Sequence, residues 1–171
     1  MEEIKNKVKE SGLIQINLSD FKPTTEILEI DIAEQLWQGL VLREKDFRAW
    51  ILSHDWSKYR EKAIYIHCSS DAIVPTWAYM LIASALNNET IHVIVGKKID
   101  LEKELIKRKI NELNTDVFLD KRIIVKGCSD INYPEFAMVC LLNKLQPFVY
   151  SIMYGEPCST VPVYKKKKNN S

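Results

Sequence analysis

The sequence predicts an α/β protein in which a mostly parallel sheet carries helices on both faces. From about residue 62, four short apolar segments alternate with three segments of helical periodicity, an order that is typical of βαβ units. These apolar segments do not alternate with polar residues, which indicates strands that are buried on both faces. Earlier segments do alternate, so we expect a small N-terminal α+β portion with antiparallel strands before the strand–helix repeats.

The N-terminal portion, residues 1–60, is expected to combine helices with half-buried strands. Its predicted elements are, in order, a helix at 2–10, strands at 13–18, 27–32 and 37–42, and a helix at 43–54. The second helix is indicated by Phe47, Trp50 and Ile51, which fall at helical spacing.

The strand–helix repeats of residues 61–154 form a predicted βαβαβαβ core. Its strands are predicted at 63–66, 91–95, 122–125 and 148–152, and its helices at 75–86, 99–113 and 134–145. Pro75 falls in the first turn of its helix, where the missing N–H of proline breaks no intrahelical bond. Residues 155–171 are expected to form a C-terminal loop and a basic tail, with one more extended piece at 161–164.

Length and charge restrict the function. With 171 residues, the chain is long enough for one domain, residues 1–171, with a core of its own. Its 24 basic and 23 acidic residues give a net charge of +1, and four of the basic residues form the run Lys165–Lys168. The rest of the chain is therefore slightly acidic, which argues against a duplex nucleic-acid binder.

The sequence also predicts where the protein works. No apolar segment reaches the roughly 20 residues that cross a bilayer, so no membrane association is expected. The N-terminus is polar and acidic, without a hydrophobic targeting segment. We therefore expect a cytoplasmic protein, whose four cysteines are thiols, metal ligands or core residues rather than disulfides.

Three of the four cysteines come just after a predicted strand, and each is followed by serine. The pairs are Cys68-Ser69, Cys128-Ser129 and Cys158-Ser159. The first two also share an aspartate, Asp71 or Asp130, before the proline of the next helix. Open α/β sheets bind ligands at the carboxyl ends of their strands. If the first and third core strands are neighbours, Cys68 and Cys128 come within touching distance and the Cys158 loop closes over them.

Three converging thiolates would make a soft site for zinc or an iron–sulfur cluster. A fourth ligand, a supporting hydrogen bond or anion binding is expected from nearby residues: His67, Ser69, Asp71, Ser129, Asp130, Glu156 and Ser159. His67 directly precedes Cys68, and consecutive strand residues point to opposite faces, which favours an imidazole that faces away from the thiol. No Cys-x-x-Cys pair supports the site locally.

A purely structural role is the other interpretation of these residues. Asp71 and Asp130 precede helices, where aspartate commonly caps the first turn. Buried cysteines are common small apolar residues, and Cys140, inside an apolar helix, is interpreted as one of them. The repetition of one motif in loops, rather than on apolar faces, favours a functional cluster.

Four segments resemble a bacterial family known as domain of unknown function 2480. They are Gln38–Arg48, Asp71–Leu81, Lys126–Asp130 and Ser151–Val163. The resemblance covers nearly the whole chain, and the last segment is the most specific. Genes of that family often lie beside those of the sulfur-mobilisation pathway of iron–sulfur cluster assembly. The resemblance therefore implies a link with assembly proteins of that pathway, and it implies no reaction.

Three functions follow from these observations. The first is a cytoplasmic accessory protein that holds a metal or an iron–sulfur cluster on Cys68, Cys128 and Cys158. The second is a thiol enzyme that uses one of the same cysteines as a nucleophile, activated at a helix N-terminus. The third is a non-catalytic interaction module, with Arg43–Arg48 and Tyr154–Val163 forming the surface of a dimer, the commonest oligomer.

Overall fold

The structure is a computed structural model that describes residues 12–127, 130–156 and 158–167. Its strands are β1 (Leu13–Asn17), β2 (Ile27–Asp31), β3 (Ala63–His67), β4 (His92–Val95), β5 (Arg122–Lys126), β6 (Ser151–Glu156) and β7 (Ser159–Lys165). Its α-helices are α1 (Glu44–Ser53), α2 (Thr76–Leu86), α3 (Lys98–Asn111) and α4 (Pro134–Leu145). Short 3-10 helices occupy Leu18–Phe21, Ile32–Gln35, Trp56–Tyr59 and Thr115–Phe118.

The α/β prediction is confirmed, with mostly parallel strands and helices on both sides. One sheet has the order β1-β5-β6-β7 and the other the order β2-β3-β4. Every pairing is parallel except that of β6 with β7. The antiparallel pairing expected for the N-terminal strands is wrong, because β1 runs parallel to β5 and β2 runs parallel to β3. The polar alternation in β1 and β2 instead reflects their position at the edges of the two sheets.

The strands of the predicted βαβαβαβ core are divided between the two sheets. β3 and β4 belong to the three-stranded sheet, and β5 and β6 to the four-stranded sheet. The chain accordingly separates into two compact units. Unit 1 comprises the described residues up to Pro23 and from Lys103 onwards, and unit 2 comprises Thr24–Glu102.

Units 1 and 2 repeat one arrangement of strands. The pairing of β2 with β3 begins at Ile27 and Ala63, and that of β1 with β5 begins at Leu13 and Arg122, so both pairs share one register. β4 and β6 then extend the two sheets in the same parallel register. Each residue of β3 corresponds to the residue of β5 that comes 59 positions later in the sequence, as Ala63 corresponds to Arg122.

The turns before β3 and β5 show the same correspondence in detail. Glu61 and Asp120 both adopt the left-handed conformation, with φ of 58° and 52°. Their N–H groups donate to the carbonyls of Glu89 and Phe148, each over 2.8 Å. β3, which ends just before Cys68, and β5, which ends two residues before Cys128, therefore occupy equivalent places in the two units.

Each unit has its own apolar core. Unit 2 buries Ile30, Ile32, Leu42, Phe47, Tyr59, Ile64, Ile66, Ala78, Ile82 and Leu86. Unit 1 buries Ile16, Leu18, Phe21, Ile106, Ile110, Phe118, Ile123, Val125, Ile131, Ala137, Leu141, Leu145, Val149 and Ile152. Both cores contain side chains of the central strand, the helix after it and the 3-10 helix before it, as expected for a helix-covered parallel sheet.

Some predicted elements differ from the structure. A strand at 37–42 is replaced by a turn with one isolated antiparallel bridge between Trp37 and Val41, because Gln38 and Gly39 adopt positive φ. The extended piece at 161–164 belongs to the longer strand β7, which pairs with β6. The predicted helix at 2–10 lies outside the described residues. No helix in the described part of the chain combines the length and the hydrophobicity needed to cross a bilayer.

Candidate functional site

The Cys68 loop is fastened to the carboxyl end of the sheet in unit 2. Cys68 is half-buried against the unit 2 core, and its Sγ donates to the Ser70 carbonyl oxygen over 3.4 Å. The Ser69 N–H donates to Asp31 Oδ1 over 3.0 Å. The Ser70 hydroxyl donates to the Gly39 carbonyl over 2.9 Å, which joins this loop to the turn before α1.

Asp31 is the carboxylate that organises this strand end. Its Oδ1 also accepts the Ala33 N–H over 2.9 Å and caps the 3-10 helix that follows β2. Burial favours the neutral acid, but hydrogen bonds from Ser69 and Ala33 outweigh burial, and the pKa of Asp31 falls below its usual value. Asp31 is therefore a fixed negative charge beside the Cys68 loop.

In unit 1, an ion pair joins the ends of two neighbouring strands. β5 and β6 are parallel and adjacent. Lys126 Nζ, at the end of β5, lies 3.6 Å from Glu156 Oε2, at the end of β6. Cys158 and Ser159 follow in the β6–β7 hairpin, and both are exposed. Glu156 therefore contacts the strand end that leads to Cys128.

Four more of the predicted site residues are Asp71, Cys128, Ser129 and Asp130. Asp71 and Asp130 are exposed, and Cys128 and Ser129 lie outside the described residues. The condition that the first and third core strands be neighbours is not met, since β3 and β5 pair within different sheets. Among the described residues, no three His, Cys, Asp or Glu side chains are grouped to hold a metal ion. The three-cysteine cluster thus stays a prediction.

Cys140 lies on α4, half-buried against the unit 1 core, as its apolar surroundings in the sequence predict. Burial raises the pKa of this thiol, although Lys107 opposes the effect. Cys140 therefore differs from the loop cysteines and provides a control for them.

A polar cluster on unit 2 joins the predicted residue His67 to Glu29 and Tyr65, which the sequence did not indicate. The Tyr65 hydroxyl donates to Glu29 Oε2 over 2.5 Å, and the same oxygen lies 3.3 Å from His67 Nε2. The Tyr65 and His67 rings stack, with centroids 5.4 Å apart. The hydrogen bond to Glu29, with smaller contributions from burial and the Glu29 charge, raises the pKa of Tyr65 to about 12.

Parallel pairing produces this cluster. Glu29 lies opposite Tyr65 in the register of β2 and β3, and His67 follows two residues later on the same face. His67 therefore faces away from the side on which Cys68 packs, as the alternation of strand residues indicates. The sequence shows that Tyr65 and His67 lie on one face of their strand, but only the pairing of β2 with β3 shows that Glu29 contacts them.

Comparison with known proteins gives one family. The profile of a family described as protein of unknown function (DUF2480) matches residues 2–166. No match was found among curated proteins or among solved structures.

Proposed function

We propose that this chain, which belongs to the DUF2480 family, is an accessory protein that holds a metal ion or an iron–sulfur cluster through Cys68, Cys128 and Cys158. The observation that carries the proposal is the ion pair of Lys126 with Glu156, 3.6 Å apart. It joins the two strand ends from which the chain runs to Cys128 and to Cys158.

Chain connectivity supports a thiol pair at this edge of unit 1. Cys128 follows Lys126 by two residues, and Cys158 follows Glu156 by two residues. Two residues extend no further than about 7 Å, so each cysteine is tethered closely to one partner of the ion pair. Thiolates are preferred ligands of zinc and of iron–sulfur clusters, and the Glu156 carboxylate is a further candidate ligand.

We propose Cys68 as the third ligand because it carries the same Cys-Ser motif after a strand as the other two cysteines. Its loop follows β3 as the Cys128 loop follows β5, and β3 and β5 are the central strands of their repeated three-strand arrangements. In the described loop of unit 2, Cys68 is half-buried, with the exposed Ser69 next to it. Ser69, Asp71, Ser129, Asp130 and Ser159 are proposed to support the site through hydrogen bonds.

The same proposal extends to partners and location. We propose that the protein works in the cytoplasm as a homodimer and exchanges its cargo with iron–sulfur assembly proteins. For the alternative of a non-catalytic interaction module, Arg43–Arg48 and Tyr154–Val163 are the proposed contact surface. Val161 and Val163 are 62% and 50% exposed on β7, which leaves apolar side chains available for such a contact.

Anaerobic purification followed by metal and sulfide analysis tests the proposal. We expect bound zinc, or iron with acid-labile sulfide and visible absorbance, in the untagged protein or after reconstitution. Cys68→Ser, Cys128→Ser and Cys158→Ser should each weaken metal binding at least tenfold, because losing even a hydrogen-bonded partner of a ligand lowers metal affinity by about 10–100-fold. Cys140→Ala is the matched control and should retain full metal binding.

Full metal content in the Cys128→Ser and Cys158→Ser proteins would overturn the proposal. So would a metal-free protein that reconstitution with zinc, or with iron and sulfide, fails to load. In that case a single thiol that reacts rapidly near neutral pH would favour the thiol enzyme instead.

A further inference from the structure

We propose that Glu29, Tyr65 and His67 form a binding site for a ferric ion on unit 2. This site is separate from the proposed thiol site, because its ligands are oxygen and nitrogen atoms. All three side chains lie on one face of the β2–β3 pair, with Glu29 and Tyr65 at the middle of their strands and His67 at the carboxyl end of β3. Ligand sites of open α/β sheets are found at that end of the strands.

The Tyr65 and His67 donor atoms both lie close to one Glu29 oxygen, at distances near those between neighbouring ligands of a metal ion. Tyr65 Oη and His67 Nε2 lie 2.5 Å and 3.3 Å from Glu29 Oε2. Ligands about 2.0–2.2 Å from one ion are separated from each other by about 3 Å when the bonds are perpendicular. An ion therefore needs only a small opening of the Tyr65–Glu29 contact, and the stacked rings hold both donors on one side.

The chemistry of the three donors selects the ion. Imidazole suits iron among other transition metals, carboxylate is a hard ligand, and tyrosinate is an established ligand of ferric haem iron. Phenolate and carboxylate together supply two negative charges, which suit a trivalent ion. Binding forms an iron–oxygen bond to Tyr65, releases the phenolic proton to water and breaks the hydrogen bond from Tyr65 to Glu29.

The local charge also favours a cation. In the described part of the chain, the Glu29 carboxylate contacts Tyr65 and His67, and no lysine or arginine forms an ion pair with it. The Glu29 side chain is 59% exposed and that of His67 is 26% exposed. Solvent therefore reaches the cluster, and water is able to occupy the other coordination positions of the ion.

The internal repeat argues that the cluster is not required by the fold. The positions equivalent to Glu29, Tyr65 and His67 in unit 1 carry Gln15, Ile124 and Lys126. The same strand pairing therefore forms without a carboxylate, a phenol or an imidazole at these places. The polar cluster is a property of unit 2 alone, which is expected of a site rather than of a structural requirement.

Titration of the metal-free protein with ferric nitrilotriacetate, without sulfide, tests the proposal. We expect a visible phenolate-to-iron charge-transfer band that saturates near one ion per chain. Resonance Raman excitation within that band should enhance the ring vibrations of tyrosinate. Tyr65→Phe should abolish the band, and Tyr79→Phe, which changes another half-buried tyrosine of unit 2, should leave it intact.

A conservative change at the carboxylate measures the contribution of Glu29. Glu29→Gln installs the residue that unit 1 carries at the equivalent position, so it is compatible with the strand pairing. It should weaken ferric binding by about 10–100-fold or more, because losing only a group that is hydrogen-bonded to a metal ligand already has an effect of that size. Far-ultraviolet circular dichroism checks that the variant is folded.

The proposals of a thiol site and of a ferric site are tested by separate measurements, so one can be wrong while the other holds. Cys68→Ser should leave the charge-transfer band unchanged, and Tyr65→Phe should leave the metal and sulfide content of the anaerobically purified protein unchanged. No band at saturating ferric ion would overturn the ferric site, and so would a band that persists in Tyr65→Phe.

Discussion

Tyr65 is the residue whose titration the fold alters most clearly. Its hydroxyl donates to the Glu29 carboxylate, and this bond raises the pKa of Tyr65 to about 12. Ionising the phenol would break the bond and place a second negative charge beside the carboxylate. The neutral phenol is thus the form that the folded protein stabilises.

Replacing Glu29 should return Tyr65 to an ordinary titration. In Glu29→Ala both the hydrogen-bond acceptor and the charge are gone, so the pKa of Tyr65 should fall from about 12 towards about 10. The measurement is the ultraviolet absorbance of tyrosinate as a function of pH. Subtracting the titration of Tyr65→Phe isolates the contribution of Tyr65. An unchanged titration would show that the carboxylate does not control Tyr65.

The same shift predicts a loss of stability in alkali. Because the pKa of Tyr65 is higher in the folded than in the unfolded chain, the folded state binds more protons between about pH 10 and about pH 12. The contribution of Tyr65 to the free energy of unfolding is complete below about pH 10 and is lost as the pH rises towards 12. Urea denaturation of the wild type and Tyr65→Phe should converge over this interval.

At the scale of the element, the β6–β7 hairpin depends on Gly155. This residue has a φ of +121°, and a Cβ added there would lie 2.5 Å from the Ser159 carbonyl oxygen. Gly155 lies within β6 and pairs with Thr160 on β7, and the backbone of β7 leaves no room there for a side chain.

Gly155→Ala should therefore destabilise the hairpin, by about 1–3 kcal/mol for the strained backbone and more for the contact with Ser159. Urea denaturation measures the free energy of unfolding. Gly39→Ala is the matched control, because Gly39 also has positive φ but its added Cβ would meet nothing within 4 Å. Equal losses in the two variants would contradict the proposed contact.

The strand-end loops show how a short sequence motif acquires different surroundings. In unit 2, Ser69 and Ser70 bind Asp31 and Gly39. In the described part of unit 1, Lys126 and Glu156 form an ion pair between the ends of β5 and β6. Repeated elements thus share backbone geometry, whereas their side chains have diverged towards different contacts.

At the scale of the whole molecule, the position of a residue in the sequence does not decide which of the two units it belongs to. Leu18 precedes unit 2 in the chain but is fully buried in the core of unit 1. Ile32, its counterpart after β2, is fully buried in the core of unit 2. The two residues are only 14 positions apart (18 to 32), and yet they stabilise different sheets.

This assignment predicts which sheet each core substitution weakens. Leu18→Ala and Ile32→Ala should each cost about 2–5 kcal/mol. Amide hydrogen exchange should increase most in β5 for Leu18→Ala and most in β3 for Ile32→Ala, because local opening follows the unit that loses its packing. The same pattern of exchange in both variants would contradict the division into two units.

The sequence by itself determined the local features of this protein. Continuous apolar segments identified the strands at 63–66 and 122–125, and helical periodicity identified the helices that follow them, because burial imposes a pattern on neighbouring residues. The Cys-Ser motifs at strand ends followed from the same pattern. His67 was correctly expected to face away from Cys68, since side chains alternate along a strand.

Only the tertiary structure decided which strands pair. β1 lies beside β5, more than a hundred residues later, and no local pattern encodes a partner at that distance. Parallel pairing of β2 with β3 likewise placed Glu29 against Tyr65 and His67. Which strands pair depends on the free energy of the whole core and not on the paired residues alone. The sequence therefore shows Glu29, Tyr65 and His67, but it does not show that they are in contact.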